Sequence, residues 1–569
     1  MMPTLPPHLA RYAPLLDDYD AFVDIVSVPL PQTVATNLTR LTPEALQALC
    51  DDHLSLTPVP WFPGAFRLHP DDRPGRHWSY SAGLYTVQEE ASLMPVRMLG
   101  ARPGHRVLDL CAAPGNKTVQ LALMLGNRGT LIANDIKMVR LSAVHDQCRR
   151  LGLLNVSTTG HDGSVYPVDD AQFDRILVDA PCTAEGKARR GYLRASPPKF
   201  RKWVAGQQRA LLRRALQLCR PGGRIVYATC TFAPEENEAV VSDLLTSLAG
   251  RVRTVAPDFE VPGAAPGLTA FAGAQFHPEL QHARRLWPQR TDTGGFFAVT
   301  LERIDDGPHD GFRGAPERRS DVGAHRGAGD SPHRVAVGAP SGTTAAEPPI
   351  APRIQPLPEH AAQADVERYL QRFALPADVT DELHFFLDSR HLRAVCRDHA
   401  PPAGVQLENI GIDFARRRSS HPKITTGTAM AIGQRATRNR VELLPEELEL
   451  WRQRRDVQLP AARLVDCERG YQLVRSRGLV HGTGFLRLDD DGNGELESQF
   501  PKAWMRAVPV ETELEIEPET VLEVAAALDA EQDVPEDVLE RELEKGPAPP
   551  DAEGMDDAAT DPDAPRSER

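Results

Sequence analysis

The regular alternation of strand and helix signals between residues 104 and 304 constrains the fold of this chain more than any other feature. Five short runs are rich in aliphatic and β-branched residues, and helical stretches follow the first, the second and the fourth of them. These runs are "HRVLDLC" (105–111), "TLIAND" (130–135), "NVSTTGHDG" (155–163), "FDRILVDAPC" (173–182) and "GGRIVYATC" (222–230). Strands that alternate with helices predict an α/β fold with a doubly wound, mostly parallel sheet.

Segments of different composition flank this sheet region. A chain of 569 residues is too long for one hydrophobic core, so several domains are expected. Sequence rich in Gly, Pro and His is typical of a linker, and an acidic stretch rich in Pro and Ala is typical of disorder. We predict a small N-terminal α+β region at 1–100, the sheet domain at 101–304, a disordered linker at 305–355, a C-terminal α+β domain at 356–508 and an acidic disordered tail at 509–569.

Several individual elements can also be predicted. The segment "YTVQEEASLMPVRML" (85–99) predicts an amphipathic helix, and residues 363–395 predict a helical stretch. Residues 197–219 predict a helix with Ser196 as its N-cap, and a further helix is predicted to begin at Pro234. The segment "GGFFAVTLERI" (294–304) predicts one more strand.

Charge and hydropathy exclude several classes of protein. Residues 511–569 hold 21 acidic and 4 basic residues, a net charge of −17 against −14 for the whole chain, so residues 1–510 carry +3. No apolar run approaches the roughly 20 residues of a membrane helix. The N-terminus lacks the blocks of a secretory signal. We therefore expect a cytoplasmic protein without membrane association, in which any contact with nucleic acid comes from local basic patches.

The eight cysteines indicate neither a metal site nor a disulfide framework. No C-x-x-C pair or His/Cys cluster occurs, so no metal is expected. The segment "DDDGNGELESQF" (489–500) begins like a calcium-binding loop, but Phe500 occupies the position that needs a bidentate glutamate. We predict a hairpin turn there.

Small and acidic residues gather at the ends of the first three strands, where a doubly wound sheet binds its cofactor. The loop "DLCAAPGNKT" (109–118) matches neither a dinucleotide motif nor a Walker A motif. Asp135 is placed to bind ribose hydroxyls and Asp162 to bind an adenine amino group, and a nucleoside without phosphates suggests S-adenosyl-L-methionine. The predicted cofactor residues are Cys111, Ala112, Ala113, Pro114, Gly115, Asn116, Lys117, Asp135, Asp162 and Asp179.

Two cysteines follow the fourth and fifth strands. Because parallel strands end at the same edge of a sheet, Cys182 and Cys230 are expected to lie near each other at the cofactor edge. Cys230 could fill the core, bind a metal, form a redox pair with Cys182 or act as a nucleophile. A metal lacks further ligands, and core filling does not explain the second thiol. A lysine and a helix N-terminus nearby would lower the pKa of such a thiol.

A basic segment follows Cys182 directly. "KARRGYLRASPPKFRKW" (187–203) holds seven basic residues, no acidic ones and three aromatic rings, a composition suited to single-stranded RNA. A solvated helix start is the alternative. The predicted RNA-binding residues are Lys187, Arg189, Arg190, Arg194, Lys199, Arg201 and Lys202.

Four motifs together resemble the Nol–Nop–Sun family of RNA 5-methylcytosine methyltransferases. They are "YTVQEEAS", "DLCAAPGNKT", "ILVDAPC" and "ATCTFAPEENE", and "RRLWPQRTDTGGFFAV" (284–299) is similar to the closing hairpin of that family. The resemblance covers residues 30–304. Asn116 stands where the family has a second glycine, and "PCTA" stands for "PCSG".

The resemblance implies a Rossmann-like methyltransferase sheet and roles for individual residues. Cys230 matches the cysteine that adds to carbon 6 of cytosine, and Cys182 matches the one that helps to remove the carbon 5 proton. Asp179 would hold the cytosine edge and, if protonated, stabilise charge at ring nitrogen 3. Lys117 would place the base and favour the thiolate.

The partner implied by the resemblance is RNA. More weakly, "GFLRLDDDGNGELESQFPKAWM" (484–505) resembles the C-terminal, PUA-like RNA-binding domain of the RsmF-like ribosomal RNA branch. We therefore expect a monomeric RNA cytosine-5 methyltransferase acting on 16S rRNA. A tRNA-directed enzyme and a non-catalytic ribosome assembly factor are the alternatives.

Overall fold

A computed structural model gives the fold of this chain within residues 1–513. The described residues are 7–50, 53–169, 171–193, 195–304, 355–356, 359–387, 391–416 and 422–505. Residues 305–354 of the predicted linker (305–355) and the predicted tail (509–569) lie outside them. In the part of the chain that the structure describes, no helix is long and apolar enough to cross a membrane.

The N-terminal region forms a four-stranded antiparallel sheet in the order β2-β3-β1-β4. Its elements are α1 (Pro7–Ala10), α2 (Tyr19–Val26), β1 (Thr33–Thr36), α3 (Pro43–Cys50), β2 (Thr57–Pro58), β3 (Ala65–Arg67), α4 (Trp78–Ser81), β4 (Tyr85–Gln88) and α5 (Leu93–Leu99). The predicted helix over 85–99 is wrong in its first half, because the β-branched Thr86 and Val87 pair with β1 as a strand. Its second half, α5, is helical but buried on nearly all sides.

The sheet domain follows the predicted alternation. Its elements are β5 (Arg106–Asp109), α6 (Asn116–Met124), β6 (Thr130–Asn134), α7 (Leu141–Leu151), β7 (Val156–Thr159), β8 (Phe173–Asp179), α8 (Pro198–Leu218), β9 (Cys219–Thr229), α9 (Glu238–Ser247), β10 (Val252–Val255), β11 (Ala265–Pro266), β12 (Ala270–Phe271), β13 (Ala274–Gln275), β14 (Arg284–Leu286), α10 (Pro288–Thr291) and β15 (Phe296–Arg303). The five predicted strands are β5 to β9, and the strand predicted at 294–304 is β15. Helix α8 is preceded by Pro197, not by a capping Ser196 side chain.

The strand order places the site. The sheet runs β11-β14-β15-β9-β8-β5-β6-β7, and strands β5 to β9 are parallel. The chain moves outward from β5 through β6 to β7, and then returns to the other side of β5 with β8. Such a reversal opens a crevice at the carboxyl ends of the strands, where ligands bind in doubly wound sheets. The predicted Rossmann-like α/β fold is confirmed.

The C-terminal region contains two further sheets, in the orders β16-β17-β18-β20 and β21-β23-β24-β25-β22. Its elements are β16 (Gln355–Pro356), α11 (Glu359–Phe373), β17 (Leu383–Leu387), β18 (His391–Cys396), β19 (Asn409–Ile410), β20 (Ile412–Arg416), α12 (Thr426–Ile432), β21 (Arg440–Glu442), α13 (Pro445–Arg452), β22 (Val457–Leu459), β23 (Gly470–Ser476), β24 (Leu479–Leu488) and β25 (Gly494–Ser498). The hairpin predicted in place of a calcium loop is confirmed as β24–β25.

The helix predicted over 363–395 is wrong beyond Phe373. Helix α11 ends there, because Pro376 cannot continue it, and the following aromatic and aliphatic residues form the antiparallel pair β17–β18. The PUA-like character of the C-terminal region stays a prediction.

The C-terminal region is joined to the central sheet through its edge strand. Strand β19 pairs antiparallel with β7, which the sequence did not indicate. Buried His399 Nε2 lies 2.7 Å from Ser157 Oγ on β7, and the Ala400 amide donates to Thr130 Oγ1 at 2.7 Å. The exposed edge of the parallel sheet is thereby covered.

A buried ion pair fixes the segment that follows β9. Arg285 on β14 donates to both carboxylate oxygens of Glu238 on α9, at 2.7 and 2.6 Å, and both side chains are almost fully buried. Arg285 also donates to the Phe232 carbonyl at 3.0 Å. The hairpin β14–β15 is thus tied to the turn directly after Cys230.

Arg285→Met should destabilise the protein, because it leaves the Glu238 carboxylate buried without its partner. Breaking one side of a buried pair costs about 3–5 kcal/mol. The measurement is the denaturant midpoint of the full chain, with Arg284→Met, at the half-exposed neighbouring position, as the control. Equal midpoints for the two variants would contradict this account.

Candidate active site

The two cysteines that follow β8 and β9 lie side by side. Pairing of β8 with β9 places Asp179 opposite Ala228, so the segments that follow the two strands leave the sheet at the same edge. Cys182 Sγ is 3.4 Å from Cys230 Sγ, and both residues are partly buried. The predicted proximity of the thiols is confirmed.

The charges around the two sulfurs differ. The hydrogen bond with Cys182 lowers the pKa of Cys230, and the positive charges of Lys187 and Lys117 lower it further, against burial and Asp179. The same hydrogen bond raises the pKa of Cys182, together with burial and the charges of Cys230 and Glu236. Because the thiolate is the reactive form, Cys230 is the better nucleophile of the two.

The helix predicted to begin at Pro234 begins later. Residues 234–237 form turns, and α9 starts at Glu238. The Thr229 hydroxyl donates to Asn237 Oδ1, and the Asn237 side chain donates to the Thr231 carbonyl at 3.0 Å, which favours turns over a helix start. The thiolate of Cys230 is therefore favoured by Cys182 and the two lysines rather than by a helix N-terminus.

Lys117 and Asp179 form an ion pair beside the thiols. Lys117 lies on α6, after the loop that follows β5, and Asp179 ends β8. Lys117 Nζ is 2.7 Å from Asp179 Oδ2 and 5.5 Å from the centre of the Phe296 ring. Neighbouring strands thus bring together all four predicted catalytic residues.

The predicted cofactor loop, Cys111 to Lys117, turns tightly between β5 and α6. The Ala112 amide donates to the Asn134 carbonyl at 2.7 Å, and the Ala113 amide donates to Asp135 Oδ2 at 3.2 Å. Gly115 has φ +109°, and a Cβ there would lie 3.1 Å from Val144 Cα, so glycine is required. The side chain of Asn116 accepts a hydrogen bond from Gln147 at 3.0 Å. Pro114 completes the loop.

The acidic residues at this edge differ in environment. Asp135 is buried, which raises its pKa, and Arg140 lies 3.5 Å from its carboxylate. Asp162 is exposed, and its Oδ1 caps the turn at Ser164 at 2.8 Å. Asp109 is buried, which raises its pKa to about 7, and its Oδ1 has no hydrogen-bond partner among the described residues.

These residues fit a nucleoside cofactor. A buried carboxylate oxygen without a donor and a loop of small residues lie at the sheet reversal, which suits a ligand rich in hydroxyl and amino groups.

Two features of the site were missed from the sequence. Arg140 Nη2 donates to the Ala113 carbonyl at 2.8 Å and so supports the cofactor loop. Glu236 is fully buried and accepts from the Thr183 amide at 3.0 Å, directly after Cys182. The "PEEN" sequence after the second cysteine was the available signal for Glu236.

The predicted RNA-binding residues fall into several environments. Arg189 is buried and donates to the carbonyls of Val28, Pro29 and Thr293. Arg190 pairs with Glu89 at 2.9 Å. Lys199 and Lys202 are exposed on α8, while Lys187 and Arg201 are half-buried. Arg194 lies outside the described residues.

Comparison with known protein families agrees with this geometry. Residues 96–302 match the model of the family described as 16S rRNA methyltransferase RsmB/F, and residues 5–90 match the N-terminal domain of 16S rRNA methyltransferase RsmF. The chain belongs to this family. It is an S-adenosyl-L-methionine-dependent methyltransferase of the RsmF type.

Individual proteins are similar to this chain over part or most of its length. The chain is 29% identical to ribosomal RNA small subunit methyltransferase F of Erwinia tasmaniensis, over 82% of this chain and 91% of that protein. It is 34% identical to the protein of the same name from Salmonella agona, over 51% of this chain and 60% of that protein. A solved methyltransferase homologue from Pyrococcus horikoshii is 30% identical, with a TM-score of 0.45, over 50% of this chain and 90% of that one.

Proposed function

We propose that the protein methylates carbon 5 of a cytosine in RNA, with Cys230 as the nucleophile. The observation that carries the proposal is the pair of thiols 3.4 Å apart at the ends of two adjacent parallel strands. Carbon 5 of cytosine is a poor nucleophile, so addition of a thiolate at carbon 6 is the chemical step that activates it. The lowered pKa of Cys230, caused first by its hydrogen bond with Cys182, favours that step.

The reaction proceeds through a covalent protein–RNA adduct. Cys230 sulfur forms a bond to carbon 6, and the electron pair of the carbon 5–carbon 6 double bond moves to carbon 5. Bound S-adenosyl-L-methionine supplies the electrophilic methyl group that carbon 5 takes up. Once the sulfur of Cys230 is bonded to carbon and no longer an anion, Cys182 loses its thiol proton to solvent, and the resulting thiolate removes the carbon 5 proton. The electron pair of that C–H bond restores the double bond, and Cys230 leaves with the electrons of the carbon–sulfur bond.

The remaining site residues hold the reactants. Asp179 and Lys117 form an ion pair at 2.7 Å beside the proposed position of the cytosine base. Asp179 holds the edge of the cytosine, and the charge of Lys117 favours the thiolate of Cys230. The loop from Cys111 to Lys117 holds the cofactor together with Asp135 and Asp162. The base must leave its stack to reach Cys230, as in base flipping.

The RNA contact is proposed on the surface that follows Cys182. Exposed Lys199 and Lys202 lie on α8, and the rings of Phe200 and Trp203 stack there at 5.9 Å. Lys187 and Arg201 lie on the same segment, with Arg190 and Arg194. We assign buried Arg189 to packing instead. Since the relatives are named for small-subunit ribosomal RNA, we propose 16S rRNA as the substrate.

Deletion of the gene should remove one or more 5-methylcytosines from 16S rRNA, and bisulfite sequencing of total RNA measures this directly. Wild-type protein should restore the signal. Cys230→Ala should fail to restore the signal, because loss of a nucleophile lowers the rate of methylation by at least about a thousandfold. Loss of 5-methylcytosine from tRNA alone would show that tRNA, and not 16S rRNA, is the substrate. An unchanged RNA, or restoration by Cys230→Ala, would contradict the proposal.

Cys182→Ala should accumulate the covalent adduct, because the carbon 5 proton stays in place and Cys230 cannot leave. The adduct is detected as a shifted band on a denaturing gel after incubation with RNA and S-adenosyl-L-methionine. Cys182→Ala combined with Cys230→Ala is the control and should give no shift. A single variant that binds RNA without forming an adduct would contradict the role of Cys182.

A further inference from the structure

The chemistry described above leaves a buried acid next to the thiols without a role. Glu236 is fully buried, and three hydrogen bonds reach its carboxylate. The Thr183 amide and Gln208 Nε2 each donate to Oε2 at 3.0 Å, and the Thr183 hydroxyl donates to Oε1. All three donors are neutral, so the carboxylate is held by hydrogen bonds alone.

These hydrogen bonds hold the loop that carries Cys182 from both sides. Thr183 follows the cysteine, and Gln208 Nε2 also donates to the carbonyl of Pro181, which precedes it, at 2.8 Å. Glu236 is therefore connected to the residue before Cys182 and to the residue after it. A loop fixed at both flanking positions fixes the direction of the thiol between them.

The same network reaches the loop of Cys230. The hydroxyls of Thr183 and Thr231 lie 2.9 Å apart, and Thr231 follows Cys230 directly. The Thr231 hydroxyl donates to Glu185 at 3.3 Å, and Tyr12 of α1–α2 also donates to Glu185. One hydrogen-bond network thus connects the loops of both cysteines, and it includes the buried acids Glu236 and Glu185.

The electric field across the sulfur pair is asymmetric for this reason. The hydrogen bond with Cys230 and burial raise the pKa of Cys182, and the negative charge of Glu236 raises it further. The hydrogen bond with Cys182 lowers the pKa of Cys230, and the positive charges of Lys187 and Lys117 lower it further. Burial raises the pKa of Glu236 itself to about 7. Among the described residues, the charged or titratable groups that face the two thiols and Glu236 include Lys117, Asp179, Glu185, Lys187 and Tyr227.

We propose that Glu236 is the positioning residue that decides which of the two adjacent thiols ionises. It fixes the Cys182 loop and opposes negative charge on Cys182, so that Cys230 carries the thiolate and Cys182 stays protonated until Cys230 has reacted. The inference rests on the proposed function only in naming Cys230 as the nucleophile. It adds a fully buried residue that acts through the loop of Cys182.

Glu236→Gln tests the inference, because the amide keeps the shape of the side chain and can still accept from the Thr183 amide and from Gln208 while losing the charge. The measurement is the rate of iodoacetamide labelling at Cys182 and at Cys230 in the full chain, as a function of pH, by peptide mass spectrometry. Glu235→Gln is the matched control, since Glu235 is the adjacent, partly exposed acid that pairs with Arg11.

Wild-type protein and Glu235→Gln should be labelled first at Cys230. In Glu236→Gln the rate at Cys182 near neutral pH should rise relative to the rate at Cys230, because loss of the negative charge lowers the pKa of Cys182. Thr183→Val keeps the charge and the amide donor but loses the hydroxyl contacts with Glu236 and Thr231, and it should retain the wild-type preference. That result separates the charge of Glu236 from simple loosening of the loop.

Three results would overturn the inference. The first is an unchanged labelling ratio in Glu236→Gln. The second is an equal change in Thr183→Val, which would indicate a structural role. The third is faster labelling of Cys182 than Cys230 in the wild type, which can be observed even if no variant folds. Labelling requires neither RNA nor a methyl donor, so an altered ratio in a protein that methylates no RNA would refute the proposed function and leave the role of Glu236 intact.

Discussion

The parallel pairing of β8 with β9 is the constraint on which the rest of the site depends. Its register puts Asp179 opposite Ala228, and each strand is followed within three residues by a cysteine. Two short loops at the same sheet edge leave the sulfurs 3.4 Å apart. The adjacent β5 contributes Lys117 through its following helix, so that three neighbouring strands supply the two thiols and the ion pair beside them.

The surrounding elements keep these short loops in place with buried charges. Arg285 and Glu238 tie the closing hairpin to the turn after Cys230. Glu89 accepts from the Gly294 amide at 2.6 Å and pairs with Arg190, which connects the N-terminal region to the same hairpin and to the basic segment. Buried charges cost free energy unless they are fully paired, so each such contact specifies one arrangement of the loops. The N-terminal and C-terminal regions thus pack against the sheet domain as parts of one unit.

Periodicity and strand-end residues predicted the sheet domain well. The five strands, the strand at 294–304 and the proximity of the thiols follow from local patterns, because parallel strands place their carboxyl ends together. The helices over 85–99 and 363–395 were partly wrong, since pairing partners far away in the chain decide whether Thr86 or Phe385 lies in a strand. The pairing of β19 with β7 carries almost no local signal, being two residues long. The network of Glu236 depends on Thr183 and Gln208, which are distant in sequence, so its burial could not be predicted.

The central claim is that Cys230, and not Cys182, forms the bond to cytosine. Small-subunit rRNA transcribed with 5-fluorocytidine tests it most directly, because fluorine at carbon 5 cannot leave as a proton does and the adduct cannot resolve. After incubation with S-adenosyl-L-methionine, protease and nuclease digestion and mass spectrometry should locate a methylated nucleotide on the peptide that contains Cys230. An adduct on Cys182, or no adduct with a preparation that methylates the unmodified RNA, would contradict the account.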